Sequence, residues 1–178
     1  MDSIELFERA ATRAAAAGRG VRPEQLALPT PCAEWGVAAL LEHMASGPVY
    51  LLDAIGVDSS GAVAWPSDEI VQLCVAALRV PGTLDRRCMS PGGFEWSVAE
   101  AAAGTAMDQL VHTWDLGVAT GASTAMDPQL AEAIVAMFVP QMPEVGRQAG
   151  FVGPEIAVGP DASAQDRLLG AMGRDPRR

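Results

Sequence analysis

Lysine is absent from this chain. All 12 of its fixed cations are arginines, set against 22 acids, and the formal net charge is −10. An evenly acidic chain is repelled by nucleic acid and by anionic membrane surfaces, so neither is expected as a partner. No apolar run reaches the roughly 18–20 residues needed to span a bilayer. The opening stretch, MDSIELFERAATRAAAAGRG, carries acids early and lacks the basic start of a secretory signal, so a cytoplasmic location is expected. Cysteine is scarce: Cys32, Cys74 and Cys88 show no CxxC spacing. An odd, scattered set suits free thiols in a reducing compartment and excludes a disulfide framework. Cys74, inside an apolar stretch, reads as a small buried hydrophobe. Cys32 reads as a packing residue, since nothing near it in sequence would lower its pKa.

Long runs of β-branched residues are also missing, whereas alanine is abundant, and both facts point to helix. With 49% hydrophobic residues over 178 positions, the chain is expected to form one domain, 1–178, around a real core. A first helix is expected from Ser3 to about Ala17, with Ile4, Phe7, Ala11 and Ala14 inward and Gly18 ending it. A second begins at Gly36 or Val37 with Val37, Leu40, Leu41 and Met44 inward. Pro48 cannot donate to the Met44 carbonyl, so a kink or break is expected at residues 44–48. The GVDSSGAVAWP stretch, 56–66, reads as a loop, and Ser67 caps a third helix over 68–78. Residues 83–96, containing SPGG, read as an extended turn or irregular hairpin. Ser97-Val98-Ala99-Glu100 has the form of a capping box and opens a helix to about Thr120. Asp127-Pro128 starts a fifth helix that stops near Pro140, and a short helix near 164–172 follows a proline- and glycine-rich tail. The fold class is therefore all-α: a four-helix bundle with an irregular 83–96 segment and a short C-terminal helix.

The chain holds only two histidines, and their placement is informative. The segment DQLVHTWDLGVATG, 108–121, sets Asp108 and His112 four residues apart, on one helix face. His43, on a separate helix, can approach as a third ligand. Two imidazoles and a carboxylate accept zinc, nickel or iron(II), with zinc the first expectation, and leave positions open for water or substrate. Asp115, three residues beyond His112, either orients a ligand imidazole from behind or caps a neighbouring backbone segment. Trp114 either packs in the core or stacks on a substrate. Arg79, Arg86 and Arg87 flank the irregular segment; they either recognise a substrate carboxylate or carry solvated charge.

The segments TPCAEWGVAALLEHM, 30–44, and DQLVHTWDLGVATG, 108–121, resemble the two metal-bearing motifs of the DinB/YfiT-like superfamily. They are most similar to its actinobacterial branch, the single-domain metal-binding relatives of the mycothiol-dependent maleylpyruvate isomerase N-terminal domain. ALRVPGTLDRRC, 77–88, and FVGPEIAVGPDASAQDRLLGAMGRDP, 151–176, resemble that branch too. The resemblance implies a DinB-like bundle with a divalent metal near one end, held by His43, Asp108 and His112. The isomerase has Glu at the position of Asp108, a change that alters ligand reach. It also implies low-molecular-weight thiol chemistry with mycothiol as co-substrate, because a metal can bind and deprotonate a thiol at neutral pH. No segment resembles the isomerase's C-terminal domain, so isomerisation itself is not expected. Three readings follow: a thiol-dependent S-transferase or related enzyme acting on a small electrophile; a thiol-independent, metal-dependent hydrolase or cyclase; or a non-catalytic metal- or ligand-binding module, monomeric or homodimeric.

Overall fold

The structure, a computed structural model, describes residues 1–33, 35–59, 65–140 and 142–178. Among them the backbone forms seven α-helices and one two-stranded sheet. The chain divides into two compact units, Met1–Thr124 and Ala125–Arg178.

The first unit is a bundle of α1 (Ser3–Arg19), α2 (Val37–Ile55), α3 (Asp68–Leu78) and α4 (Val98–Thr120). Its centre is α4, buried along most of its length from Val98 to Gly117. Small residues let its neighbours come close: Ala101, Ala102, Ala103 and Ala106 of α4 and Ala10, Ala11, Ala14 and Ala15 of α1 are all essentially inaccessible. Larger side chains fill the remaining space, with Leu6, Phe7, Leu40, Leu110 and Trp114 fully buried. Each such side chain contributes about 1.5–3 kcal/mol by leaving water. The capping box at the head of α4 forms as the sequence requires: Ser97 Oγ accepts from the Glu100 amide at 3.1 Å, and Glu100 Oε2 accepts from the Ser97 amide at 2.6 Å. Gly121, at φ +72°, ends the helix in the left-handed conformation that favours glycine.

The irregular segment resolves into a hairpin. Strand β1 (Arg87–Met89) pairs antiparallel with β2 (Glu95–Ser97), Cys88 opposite Trp96. The Trp96 indole lies against Gly104 of α4, where an added Cβ would come within 2.7 Å of Cη2. A helix-interior glycine costs up to about 1 kcal/mol relative to alanine; here it makes room for the indole.

Two helical expectations need correction. Gly18 does not stop α1: it is buried inside the helix where a Cβ would meet Pro66 at 3.1 Å, and α1 continues to Arg19. Of the kink or break expected at residues 44–48, no break occurs: α2 runs through Pro48 to Ile55. The carbonyl that Pro48 leaves without a helical donor, that of Met44, accepts instead from Gln109 Nε2 at 2.7 Å. Of the loop expected at 56–66, residues 60–64 lie outside the described residues.

The second unit holds α5 (Pro128–Phe138), α6 (Met142–Gln148) and α7 (Ala164–Ala171), of which α6 is not expected from the sequence. Asp127 caps α5 by accepting from the Gln129 and Leu130 amides, and α5 packs on α7. An extended segment lies along α7, with the Ile156 amide donating to the Gly170 carbonyl at 3.0 Å. No helix among the described residues is long and apolar enough to cross a membrane.

Candidate metal centre

His43 lies in the second turn of α2, and Asp108 and His112 lie one turn apart on α4. Packing of the two helices brings all three together. Asp108 Oδ1 sits 3.2 Å from His43 Nε2 and 3.3 Å from His112 Nε2. The imidazoles meet edge to face with centroids 4.7 Å apart. His112 is nearly closed off, its side chain 9% exposed, whereas those of His43 and Asp108 are 33% and 34% exposed. The cluster is thus open to solvent on one side.

Behind it stands a carboxylate with no exposed surface. Asp115 Oδ2 accepts from His112 Nδ1 at 2.9 Å and from the Cys32 thiol at 3.3 Å. The Cys32 sulfur is 3.9 Å from His112 Nδ1, so it lies behind the ring, beside the nitrogen that faces away from Asp108. Cys32 therefore packs against the core, as the sequence suggests, and also takes part in the hydrogen bonding around His112. Trp35 leans over the pair, its ring centroid 4.6 Å from His43 and 5.8 Å from His112. The loop that presents Cys32 and Trp35 is tied by Thr30: its hydroxyl donates to the Trp35 carbonyl at 2.7 Å and accepts from the Cys32 amide at 3.1 Å. Neither Cys32 nor Trp35 is singled out as a site residue by the sequence; their signal is membership of the segment TPCAEWGVAALLEHM, 30–44, whose resemblance points to His43 as the ligand.

Charge follows from this geometry. Burial pushes the Asp108 carboxyl up, but the imidazoles of His112 and His43 outweigh it and hold the group well below the usual carboxylate range. Burial likewise disfavours the His112 cation, yet Asp108, helped by Asp115 and Cys32, raises its pKa well above the ordinary imidazole value. Without a metal, the pair is a carboxylate and an imidazolium.

The donor set suits a divalent ion. Nitrogen and oxygen ligands about 2.0–2.2 Å from a tetrahedral ion stand roughly 3.3–3.5 Å apart, and the two separations from Asp108 Oδ1, 3.2 and 3.3 Å, are close to that. Without an ion, His43 Nε2 and Asp108 Oδ1 stand in hydrogen-bond contact, and the His112–Asp115 bond is shorter, at 2.9 Å. Asp115 also leaves His112 Nε2 as the outward nitrogen.

The remaining expected site residues lie elsewhere. Arg79, at the end of α3, pairs with Glu8 of α1 at 3.1 Å. Arg86 donates to the Ile55 carbonyl at the end of α2, and Arg87 pairs with Glu95 and Glu100. Trp114 is buried in the core.

Residues 7–69 match the mycothiol maleylpyruvate isomerase N-terminal domain. Proteins recorded from two strains of Mycobacterium tuberculosis, both described only as uncharacterized, are each 31% identical over 192 residues, covering 99% of this chain and 100% of the relative. The chain belongs to the mycothiol maleylpyruvate isomerase N-terminal domain family. The matched stretch of that family holds Cys32, Trp35 and His43 and stops before α4, while the mycobacterial similarity runs across Asp108, His112 and Asp115 as well. No solved structure matches the chain.

Proposed function

We propose that the protein binds a divalent metal, zinc first, with nickel or iron(II) as the alternatives, through His43, Asp108 and His112. With it the protein acts as a thiol-dependent S-transferase on a small electrophile, with mycothiol as thiol co-substrate. One observation carries the metal assignment. One ligand atom each from His43, Asp108 and His112 lies within 4.8 Å of the others on a partly exposed face, while His112 is held from behind by Asp115. Membership of a family described by a mycothiol enzyme supports the thiol.

A divalent ion bound there supplies Lewis acidity, lowering the pKa of a coordinated thiol so that thiolate exists at neutral pH. The protein's own contribution is positional. Asp115 holds the proton of His112 on Nδ1 and so keeps Nε2 available. Asp108 supplies one negative charge, balancing part of the ion's two. Trp35 forms an apolar wall beside His43 that keeps bulk water from that side and offers a surface for the apolar part of an electrophile.

The test is the metal content of untagged protein beside a His112→Ala variant, followed by thiol conjugation assays with an electrophile panel. Near-stoichiometric metal in the wild type, lost together with conjugation in the variant, is the expected result. Conjugation that persists without metal overturns the reading. Turnover that needs metal but no thiol would point to a hydrolase or cyclase. Tight reversible ligand binding without turnover would point to a binding module.

A further inference from the structure

Gly47 and Pro48 interrupt the α2 sequence one turn beyond His43. Pro48 has no amide hydrogen, so the Met44 carbonyl has no donor within its own helix. The donor comes from α4, where Gln109 Nε2 lies 2.7 Å from Met44 O. Gly47 is what lets the carboxamide in: a Cβ there would fall 2.9 Å from Gln109 Nε2 and 3.2 Å from Thr105 Cγ2. The Gln109 side chain has no exposed surface, and its Oε1 has no hydrogen-bond partner among the described residues. A buried amide that leaves its own acceptor unpaired is a poor choice for stability alone. What the side chain contributes is the N–H it gives to the Met44 carbonyl.

The position of this bond matters. Met44 follows His43, and Gln109 follows Asp108, so the two cross-helix contacts His43–Asp108 and Met44–Gln109 are consecutive. We infer that Gln109 is a positioning residue for the metal centre: through the carbonyl that Pro48 frees, it fixes α2 against α4 and so sets the distance from His43 to Asp108 and His112. The inference rests on the metal assignment proposed above. It gives the glycine–proline pair a role beside the site rather than that of a helix defect.

The experiment compares four proteins: wild type, Gln109→Met, Pro48→Ala and the double variant. Methionine keeps the shape of glutamine and removes its N–H, and Pro48→Ala returns a helical donor to the Met44 carbonyl. Zinc affinity by chelator competition should fall roughly tenfold or more in Gln109→Met, in the range of losses seen when supporting partners of ligands are removed. In the Pro48→Ala background the same substitution should cost less than about threefold. Cobalt(II) absorption should change in Gln109→Met and return to the wild-type form in the double variant, a signature that a general loss of stability does not produce. Unaltered zinc affinity in a folded Gln109→Met protein, or an equal loss in both backgrounds, overturns the inference. If the wild type takes up no metal, the metal assignment fails by itself. Urea denaturation of the four proteins then judges the Met44–Gln109 bond separately, since additive effects of the two substitutions would refute it.

Discussion

Asp115 accepts the Nδ1 hydrogen of His112 across 2.9 Å while fully shielded from solvent. This bond decides which face of the imidazole is available. With Nδ1 committed inward, Nε2 must face Asp108 and the open side of the cluster, and the ring cannot turn without giving up its 2.9 Å bond to a buried carboxylate.

Asp115→Asn is therefore expected to weaken zinc binding by roughly 10–100-fold while the fold is kept, since the amide preserves shape but not charge. Chelator competition measures the affinity, and circular dichroism checks the fold. Unchanged affinity would mean that the carboxylate has no influence on the site.

Metal uptake should release protons. In the metal-free protein His112 keeps its proton well above the ordinary imidazole range, because Asp108 faces it, and that proton must leave Nε2 before a metal binds. Apparent affinity should thus rise with pH, by up to about tenfold per unit while His112 remains protonated. Calorimetry at pH 7 in buffers of different ionisation enthalpy should register release of about one proton per ion bound. Zero release would contradict the imidazolium assignment.

The same pair sets how metal-free stability varies with pH. The folded pKa of His112 is raised, so its contribution is complete below the unfolded value near 6.5 and is lost as pH rises through the folded value. The folded pKa of Asp108 is depressed, so its contribution is present above about 3.9 and is lost as pH falls toward its low folded value. Urea midpoints for the chelator-treated protein should be highest between about pH 4 and 6.5, from this pair alone. Asp108→Asn should flatten both limbs, and a variant whose profile parallels the wild type would refute the account.

Gly104→Ala tests the seat of the hairpin. The new Cβ would lie 2.7 Å from the Trp96 ring, and overpacking of this kind costs about 1–3 kcal/mol, more than the roughly 1 kcal/mol gained from helix propensity. A lower urea midpoint is expected; a higher one would show that the indole moves aside freely.

Much of the fold is local and was legible. Ser97 and Glu100, Asp127 and Pro128, and Gly121 announce helix ends because caps are satisfied within four residues. The four-residue spacing of Asp108 and His112 likewise survives in any helix. What the sequence hides are contacts between distant positions. Pro48 reads as a break because its compensation comes from Gln109 on another helix. Cys32 reads as simple packing because Asp115 and His112, which it approaches, lie some eighty positions away. Helix α6 goes unseen because Pro143 and Gly146 within its seven residues look like loop composition.

Trp35 adds a consequence of another kind. Its indole stands 4.6 Å from the His43 ring and 5.8 Å from that of His112, within contact range for a charged imidazolium to quench its emission by electron transfer. A change of charge at the imidazoles should therefore alter the Trp35 share of the emission, which a Trp35→Phe variant separates from that of the other three tryptophans. The site carries its own optical reporter, placed by Thr30 and readable in a cuvette without any dye.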